Sequence, residues 1–421
     1  MAFLRSLFSG VSALRNHQTM MDVIGNNIAN VNTVGFKAGR TTFSELYAQT
    51  VQGASRPTAT NGGTNPMQVG LGMSVSTIDT LFTAGNIETT AVPFDLAISG
   101  QGMFIVDQNG QTLYTRAGNF SLDADGHIVT ATGAKLQGKM ANTAGVIPGG
   151  TRLEDLIINR DLKSLAQPSS YVEYAGNLDS SAAVGASAES SASVFDSLGN
   201  RITLKLTFTK VAENQWSWSA TIPDTSATSG ERTVGGGTLV YNTDGTLQST
   251  TGNQVTFTPA GGASPLTLDL RFGTTSASAP GVFSGITQTG GSSSISRRNY
   301  DGHESGTLTD VKFDIYGKVL GSFSNGTVQT LAQVMLAEFN NVEGLERIGD
   351  NMYALSANSG IPSILEPGEV STLTPGALEQ SNVDLADEFT KMIMAQRGFQ
   401  ANARVISTSD ELLQELVNLK M

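Results

Sequence analysis

Both ends of the chain carry apolar residues at heptad spacing, and these two distant segments constrain the fold more than any other feature. Steps of three and four residues connect the positions, with Gln18, Gly25, Gln396, Ala403 and Asp410 filling other places in the series. The spacing predicts two long amphipathic helices that meet along a coiled-coil-like seam. The predicted seam consists of Leu4, Leu7, Val11, Leu14, Met21 and Ile28 at one end, and of Leu385, Phe389, Met392, Phe399, Ile406, Leu413 and Val417 at the other.

The C-terminal segment also carries helix start signals. Ser381 and Asn382 are suitable N-cap residues, and no proline follows Pro375. One helix of roughly 35–40 residues is therefore expected, on the order of 55 Å long. Formal charge is +3 over residues 1–40 and −2 over residues 381–421, so the two ends are suited to pair with each other.

Each predicted helix is apolar over a wider face than its seam. The additional apolar residues are Phe3, Phe8, Ile24, Ile393, Leu412, Leu416 and Leu419. Two paired helices cannot cover stripes of that width, so the remainder must face either the protein's own sheets or further copies of the chain. An ordinary two-helix hairpin on the protein's own core remains an alternative. Because isolated helices are marginal in water, we hypothesise that the ends are largely disordered in the monomer and become helical on assembly.

The middle of the chain, from about residue 85 to 365, alternates apolar and polar residues as β-strands do. Asn109-Gly110 and Asp125-Gly126 are expected to form type I′ hairpin turns. Loop-like Ser/Ala/Gly-rich stretches at 179–192 and 274–294 bracket a second strand-rich region. The predicted fold class is α+β and multidomain, with terminal helices and nested all-β domains of sandwich or barrel type.

Four parts are expected. Residues 1–33 with 378–421 form the terminal helical domain, and 34–84 with 366–377 form an extended linker region. Residues 85–148 with 290–365 form an inner β domain, and 149–289 form an inserted outer β domain.

Composition argues against several kinds of chemistry. The net charge of −12 is unsuited to nucleic acid, and the absence of cysteine excludes thiol nucleophiles, thiolate metal sites and disulfides. His17, His127 and His303 lie in three different regions, and Asp123, Asp125 and Gly126 lack the rest of a calcium loop. We therefore predict no catalytic residue, no metal and no cofactor, and a protein that is not an enzyme.

The first residues are interrupted by Arg5, Ser6 and Gly10, which does not fit a cleaved signal peptide. No apolar run is long enough to cross a membrane, so no membrane insertion is expected. If the protein leaves the cell, another export route must carry it.

An asparagine-rich segment follows the first predicted helix and contains Asn26, Asn27, Asn30, Asn32, Gly35 and Phe36. Asparagine competes for backbone hydrogen bonds, so this cluster is expected to end the helix, and glycine permits the change of direction. The same segment could be a joint between layers of an assembly or a contact between copies. The two interpretations are compatible.

These ends resemble a known family. NNIANVNTVGFKAGR, residues 26–40, is similar to the N-terminal signature of the bacterial flagellar axial proteins, which include rod, hook and hook-associated proteins. LEQSNVDLADEFTKMIMAQRGFQANARVISTSDELLQEL, residues 378–416, resembles the matching C-terminal signature, and YTRAGNFSLDADGHIV and AEFNNVEGLERIGDNMY agree as well. SVFDSLGNRITLKLTFTK, residues 193–210, resembles the outer β domain of the hook branch.

The resemblance implies a structural subunit of the bacterial flagellum that polymerises into a curved, flexible tube, a universal joint that carries motor torque from rod to filament. It implies type III export without a cleaved signal, a location outside the cytoplasm in the hook or basal body, and a role in motility. The implied partners are further copies of the chain, the distal rod protein, the hook cap, the hook–filament junction proteins and the export apparatus. The alternatives are a distal rod protein of the same family, or a secreted β-rich binding module or adhesin.

Overall fold

The computed structural model describes residues 2–58, 62–224, 230–273, 284–368 and 371–418. The first part of the chain contains α1 (Ala2–Ala29), β1 (Gly39–Glu45), β2 (Ala48–Gln52), β3 (Met67–Gly70), β4 (Met73–Thr80), β5 (Ile87–Thr89), β6 (Leu96–Ser99), β7 (Met103–Gln108), β8 (Gln111–Thr115), β9 (Ser121–Leu122), β10 (Ile128–Val129), β11 (Lys135–Met140) and β12 (Glu154–Asp155).

The middle part contains β13 (Lys163–Ser164), β14 (Tyr171–Asp179), β15 (Ser187–Phe195), β16 (Arg201–Ala212), β17 (Gln215–Pro223), β18 (Glu231–Tyr241), β19 (Leu247–Thr250), β20 (Gln254–Phe257), β21 (Leu266–Arg271), β22 (Ile286–Thr289) and β23 (Ser294–Tyr300). The last part contains β24 (Gly306–Phe313), β25 (Lys318–Phe323), β26 (Val328–Val334), β27 (Leu336–Glu338), a 3₁₀ turn (Val342–Gly344), β28 (Glu346–Gly349), β29 (Met352–Ala354), β30 (Ser363–Leu365), β31 (Thr372–Pro375), β32 (Ala377–Glu379) and α2 (Leu385–Asn418). The expected class, terminal helices with β-rich domains, is confirmed.

The chain divides into two compact units. The first comprises residues 1–159, 311–321 and 329–421, and the second comprises residues 160–310 and 322–328. The structure therefore places residues 290–310 in the second unit and not in the predicted inner β domain, because β23 pairs antiparallel with β14. The finer four-part division stays a prediction.

The β core of the first unit is built around β7. This strand pairs with β8, β11 and β27, and β8 pairs with β29. One apolar cluster joins these strands: Met103, Ile105, Tyr114, Met335, Ala337, Phe339 and Tyr353. The C-terminal segment returns to this unit through β31 on β6 and β32 on β5, so part of the expected linker 366–377 is paired strand.

The other part of the expected linker, 34–84, is largely a two-stranded β structure. Strand β1 pairs antiparallel with β4, and β2 pairs antiparallel with β3. We call the strands β1 to β4 the ribbon. None of its strand residues is buried, and most of them are polar, so alternation of apolar and polar residues did not reveal the strands.

The second unit contains two five-stranded sheets. One is the antiparallel series β15-β16-β17-β18-β19, and in the other β14 lies between β21 and β23 with β22 parallel to its second half. Alternating residues of both sheets form one core that includes Trp216, Trp218 and Tyr174. Ser187–Phe195 is strand β15, so the loop predicted over 179–192 is wrong in its second half. Residues 274–283 of the other predicted loop lie outside the described residues, and 286–289 form β22.

The structure agrees only in part with the predictions for the two hairpin turns and for the N-cap of α2. Asn109 and Gly110 both have left-handed φ, +56° and +82°, as a type I′ turn requires. Strands β9 and β10 pair antiparallel on either side of Asp125-Gly126, so the predicted hairpin is confirmed there. Its turn is not type I′, because Gly126 is left-handed and Asp125 is not among the residues with positive φ. The N-cap of α2 is Asp384, not Ser381 or Asn382, because its Oδ1 accepts the N–H groups of Ala386 and Asp387 at 2.8 and 3.3 Å.

Candidate assembly interface

The two terminal helices approach closely at two glycines. A Cβ at Gly10 of α1 would lie 3.1 Å from Ile406 Cγ1, and one at Gly398 of α2 would lie 2.7 Å from His17 Cε1 and Nε2. Each helix therefore offers a glycine to a larger side chain of the other. A buried hydrogen bond from Asn27 Nδ2 to Glu388 Oε2, 3.0 Å long, adds a polar contact.

The predicted seam on α2 coincides with the observed contact along one heptad line only. Met392, Phe399, Ile406 and Leu413 are half-buried, whereas Leu385 at the start of the same line is exposed. The second predicted line is exposed at Phe389, Gln396, Ala403 and Asp410. The line that faces α1 begins one residue earlier and consists of Glu388, Ala395, Asn402 and Ser409.

Helix α1 shows the same one-residue offset. Leu7, Leu14, Met21 and Ile28 are half-buried, but Val11 is exposed. The neighbouring line runs through Gly10 and Ile24, which are buried, and His17, which is half-buried. The side chains of Phe3, Leu4, Leu416 and Val417, and all of Leu419, lie outside the described residues. Sequence reasoning missed the true second lines because they are mostly small or polar, and apolar periodicity follows large side chains.

The apolar residues left out of the helix contact form exposed patches. Leu385, Phe389 and Ile393 recur every four residues and lie on one face of α2. Met394, Val405 and Leu412 are exposed on the opposite flank, and Phe8 of α1 is 71% exposed. Exposed apolar residues at four-residue spacing form a stripe along a helix, and stripes of this kind are typical of surfaces that bind another protein.

The ribbon packs along α1. Asn16 Nδ2 donates to Met73 O at 2.7 Å, and the His17 and Phe43 ring centroids lie 6.3 Å apart. Farther along, Arg5 donates to Gln49 Oε1 at 3.1 Å.

One face of the β2–β3 pair is apolar and uncovered. Tyr47, Val51, Met67 and Val69 are all exposed, Tyr47 by 82%. A two-stranded sheet is marginal in water by itself, so this face also needs a neighbour. The sequence analysis did not identify this face. The available signal was that Met67 and Val69 stand two residues apart, and that Tyr47 and Val51 stand four apart with Gln49 between them.

A buried ion cluster connects the segment that follows α1 and the strand that precedes α2 to the β core. Lys37 Nζ lies 2.6 Å from Glu379 Oε1, and Arg116 Nη1 lies 3.3 Å from Glu379 Oε2, with all three side chains at most 3% exposed. Gly85 N–H also donates to Glu379 Oε1 at 2.8 Å. Burial lowers the pKa of Lys37, and the Glu379 carboxylate opposes that shift. Two cations on one buried carboxylate fix three distant segments in one geometry.

The predicted joint segment makes several contacts with other parts of the first unit. Asn27 exchanges two 2.8 Å hydrogen bonds with the backbone of Gly39, and Gly35 N–H donates to Glu379 O at 2.8 Å. Gly35 is left-handed, φ +67°, and a Cβ there would lie 2.6 Å from Ala117 N. The guanidinium of Arg347 stacks 4.8 Å from the Phe36 ring centroid.

The remaining asparagines of this segment act locally. Asn30 Nδ2 donates to Asn26 O and Oδ1 at 2.9 Å, just beyond the end of α1, and Asn32 is exposed. The segment is thus a helix terminus followed by a tightly held turn. Its role as a joint between layers or copies stays a prediction.

Among the residues that the structure describes, no group of three or more His, Cys, Asp or Glu side chains is arranged to hold a metal ion. In the same part of the chain, no helix combines the length and the hydropathy of a membrane span. The arrangement offers contact surfaces.

Four family models match the chain. They are described as flagella basal body rod protein (residues 7–37), flagellar hook protein FlgE/F/G D1 domain (97–166), flagellar basal body protein FlaE D2 domain (164–303) and flagellar basal body rod FlgEFG protein C-terminal (374–419). Both ends and both β regions are therefore covered by models of related proteins.

Similar proteins cover the whole chain. The flagellar hook protein FlgE of Borreliella burgdorferi is 41% identical, with 99% of this chain and 100% of that protein aligned, and that of Treponema pallidum is 39% identical with the same coverage. The flagellar basal-body rod protein FlgG of Bacillus subtilis is 32% identical, with 99% of each chain aligned. The crystal structure of Helicobacter pylori flagellar hook protein FlgE2 is 14% identical and aligns with a TM-score of 0.51, covering 70% of this chain and all of that one, which supports the fold.

Proposed function

The chain belongs to the flagellar hook protein family, and we propose that its helix pair and its ribbon are the surfaces along which copies assemble into the hook. It is a structural subunit of the bacterial flagellar hook. The observation that supports these particular surfaces is the exposed apolar stripe Leu385, Phe389 and Ile393, which the subunit's own helix pair leaves uncovered. Further copies of the same chain can bury it.

The apolar helix surfaces and the polar surfaces of the second unit suit different kinds of contact in a tube that rotates while it is bent. Apolar helix contacts interdigitate, have discrete arrangements and resist gradual deformation. Surfaces of small polar residues, which predominate outside the core of the second unit, can slide with little loss. We assign permanent contacts to the helices and compliance to the inserted domain, which makes the tube a universal joint.

The decisive experiment replaces Phe389 with Asp. Because Phe389 is 50% exposed in the subunit, the variant is expected to keep the helix content and monomer stability of the parent chain to within about 0.5 kcal/mol. Assembly should be abolished, since the tube would bury an unpaired carboxylate. Electron microscopy and sedimentation measure tube formation, and circular dichroism measures the monomer.

Two further variants make the result specific. Phe389→Leu keeps an apolar side chain at the same place and should still form tubes. Leu413→Asp acts on a half-buried residue of the predicted seam, so it should weaken the subunit's own helix pair as well as assembly. Normal tubes from Phe389→Asp would contradict the assignment of this face.

The rod and adhesin alternatives are less well supported. The rod protein match is weaker than the two hook protein matches, and the domain model that covers residues 164–303 accounts for the insert. An adhesin would leave the matches at both ends unexplained. Curved tubes from purified protein would support a hook, whereas straight, rigid tubes would indicate a rod.

Location and partners are proposed at finer detail. We place the subunit in the hook, next to the basal body and outside the cytoplasm, after type III export without a cleaved signal. Retention of the N-terminal segment is supported by the packing of Gly10 against Ile406, since α1 is one half of the helix pair. The proposed partners besides itself are the distal rod protein, the hook cap, the hook–filament junction proteins and the export apparatus. N-terminal sequencing of assembled hooks tests whether residues 2–29 are retained.

A further inference from the structure

Two described turns contain the same dipeptide, Asn-Gly, in opposite environments. Asn109-Gly110 forms the two-residue loop between β7 and β8, where Gln108 pairs with Gln111. Asn325-Gly326 closes a turn in the second unit, in which Gly326 N–H donates to Phe323 O at 2.9 Å. Asparagine is among the chemically labile residues of proteins, and a following glycine leaves its own N–H unshielded because it has no Cβ.

The Asn109 side chain is unrestrained. It is exposed, and within the described part of the chain its amide makes no hydrogen bond. The neighbouring Gly110 N–H donates to Asp107 Oδ1 at 3.0 Å. This distance is within the range over which a carboxylate can accept a proton from a reacting group. The Gly110 nitrogen, which lies next to the free Asn109 amide, is therefore already hydrogen-bonded to a carboxylate that can act as a base.

The Asn325 side chain is held on both of its polar atoms. Its Nδ2 donates to Glu304 O at 2.8 Å and lies 3.2 Å from His303 Nδ1. Its Oδ1 accepts the Thr327 N–H at 3.1 Å and the Thr327 hydroxyl at 2.7 Å. The rotation that would bring its Cγ to the Gly326 nitrogen must break these bonds.

We propose that Asn109 is a site of spontaneous deamidation in the folded protein, with Asp107 as the proton acceptor, and that Asn325 is protected. The Gly110 nitrogen attacks Cγ of Asn109 and forms a cyclic imide, while the bond from Cγ to Nδ2 breaks. The proton of the Gly110 nitrogen passes through the Asp107 carboxylate to the leaving group, which departs as ammonia. Water then opens the imide at either carbonyl and leaves aspartate or isoaspartate at position 109.

Either product changes the tip of this hairpin. A second carboxylate appears beside Asp107, and the isoaspartate form also lengthens the backbone of a loop that has only two residues. Strand β7 runs from this loop into the core of the first unit, where Met103 and Ile105 are buried. In a polymer whose subunits are not exchanged, the change would accumulate with age.

The test is peptide mapping by mass spectrometry of the full chain after incubation in mildly alkaline buffer. The replacement of NH₂ by OH is followed at Asn109 and Asn325 in the same sample. Because Asn325 must first release several hydrogen bonds, its conversion is expected to be roughly tenfold or more slower than that of Asn109. In guanidinium chloride, where neither turn exists, the two sites should react at similar rates.

The variant Asp107→Asn removes the proton acceptor and should slow conversion at Asn109 several-fold while leaving Asn325 unchanged. An unchanged rate at Asn109 in that variant would overturn the role of Asp107. Retention of the Asn109 amide in the folded chain, or conversion of Asn325 at an equal or greater rate, would overturn the proposal as a whole.

Discussion

At the scale of single residues, one five-residue turn recurs through both units. In the turns that begin at Asp123, Asn142, Asp196 and Asp314, the first side chain accepts the N–H groups of the third and fifth residues through Oδ1. The fourth residue is a left-handed glycine whose N–H donates to the first residue's carbonyl. The Asp-Gly pair therefore marks a turn as expected, but the aspartate two places earlier determines its type.

The Asp196 turn makes stability depend on pH. Burial would raise the pKa of Asp196, but hydrogen bonds from Asn200 and Leu198 outweigh it and hold that pKa below its usual 3.8. A depressed carboxyl pKa contributes stability above the unfolded-state value, and the contribution is lost as the pH falls through the folded-state value. Since Asn142 forms the same turn, Asp196→Asn should fit and should unfold with a weaker dependence on pH below about 4. Superimposable pH profiles in urea unfolding would contradict this.

The ion cluster gives a second prediction at this scale. Glu379→Gln leaves Lys37 and Arg116 buried without a carboxylate, so the free energy of unfolding should fall by about 3–5 kcal/mol. Asp79→Asn, which breaks the exposed Arg40–Asp79 pair, is the control and should cost at most about 1 kcal/mol. Urea denaturation measures both, and equal losses would show that burial does not decide the difference.

At the scale of elements, the helix pair shows what periodicity reveals and what it hides. The apolar pattern correctly predicted two terminal helices that pack together. One predicted line of each helix is half-buried in the subunit, and its part in polymerisation stays a prediction. The apolar pattern assigned the second line to Val11 and Phe389, whereas Gly10 and Glu388 occupy the contact. A subunit that also packs against its copies needs large apolar residues outside the contact between its own two helices. Periodicity alone cannot separate the residues of that contact from those that face other copies. The ribbon was missed because its strands are mostly polar and carry few large apolar residues.

Two helix glycines provide a matched pair of substitutions. A Cβ at Gly25 meets no atom within 4 Å, so Gly25→Ala should stabilise the monomer by about 0.5–1 kcal/mol through helix propensity. A Cβ at Gly398 would lie 2.7 Å from the His17 ring, so Gly398→Ala should instead destabilise it by roughly 1–3 kcal/mol. Thermal unfolding followed by circular dichroism at helix wavelengths measures both. Shifts of the same sign would show that the helices do not meet at Gly398.

At the scale of the whole molecule, the fold class and the strand-rich middle could be predicted because alternation and heptads are local signals. The division into units could not be predicted, because it depends on the strand with which Ser294–Tyr300 pairs. That partner is β14, which is far away in sequence. The same holds for the cluster of Lys37, Arg116 and Glu379, whose members are unremarkable until the fold joins them.

Assembly should change the protection of the terminal helices. If their exposed apolar faces are completed only by neighbouring copies, amide hydrogen exchange in α1 and α2 should be much slower in tubes than in the dilute monomer. The strands β16 and β17, which carry the buried core of the second unit, should change little and serve as the internal reference. Strong protection of both helices in the monomer would contradict the hypothesis that assembly completes them.

The second unit should control the form of the tube and not its existence. On one sheet of this unit Leu204, Leu206 and Phe208 point inward, and Thr203, Lys205 and Thr207 alternate with them on the outer face. Thr203→Asp adds a charge to this hydroxyl-bearing face without touching the core, so tubes should still form but with altered curvature or stiffness in electron micrographs. Thr203→Ser is the control and should leave tube shape unchanged. Loss of tubes in Thr203→Asp would assign permanent contacts to this face as well, because a compliant contact tolerates a charge that water can still reach.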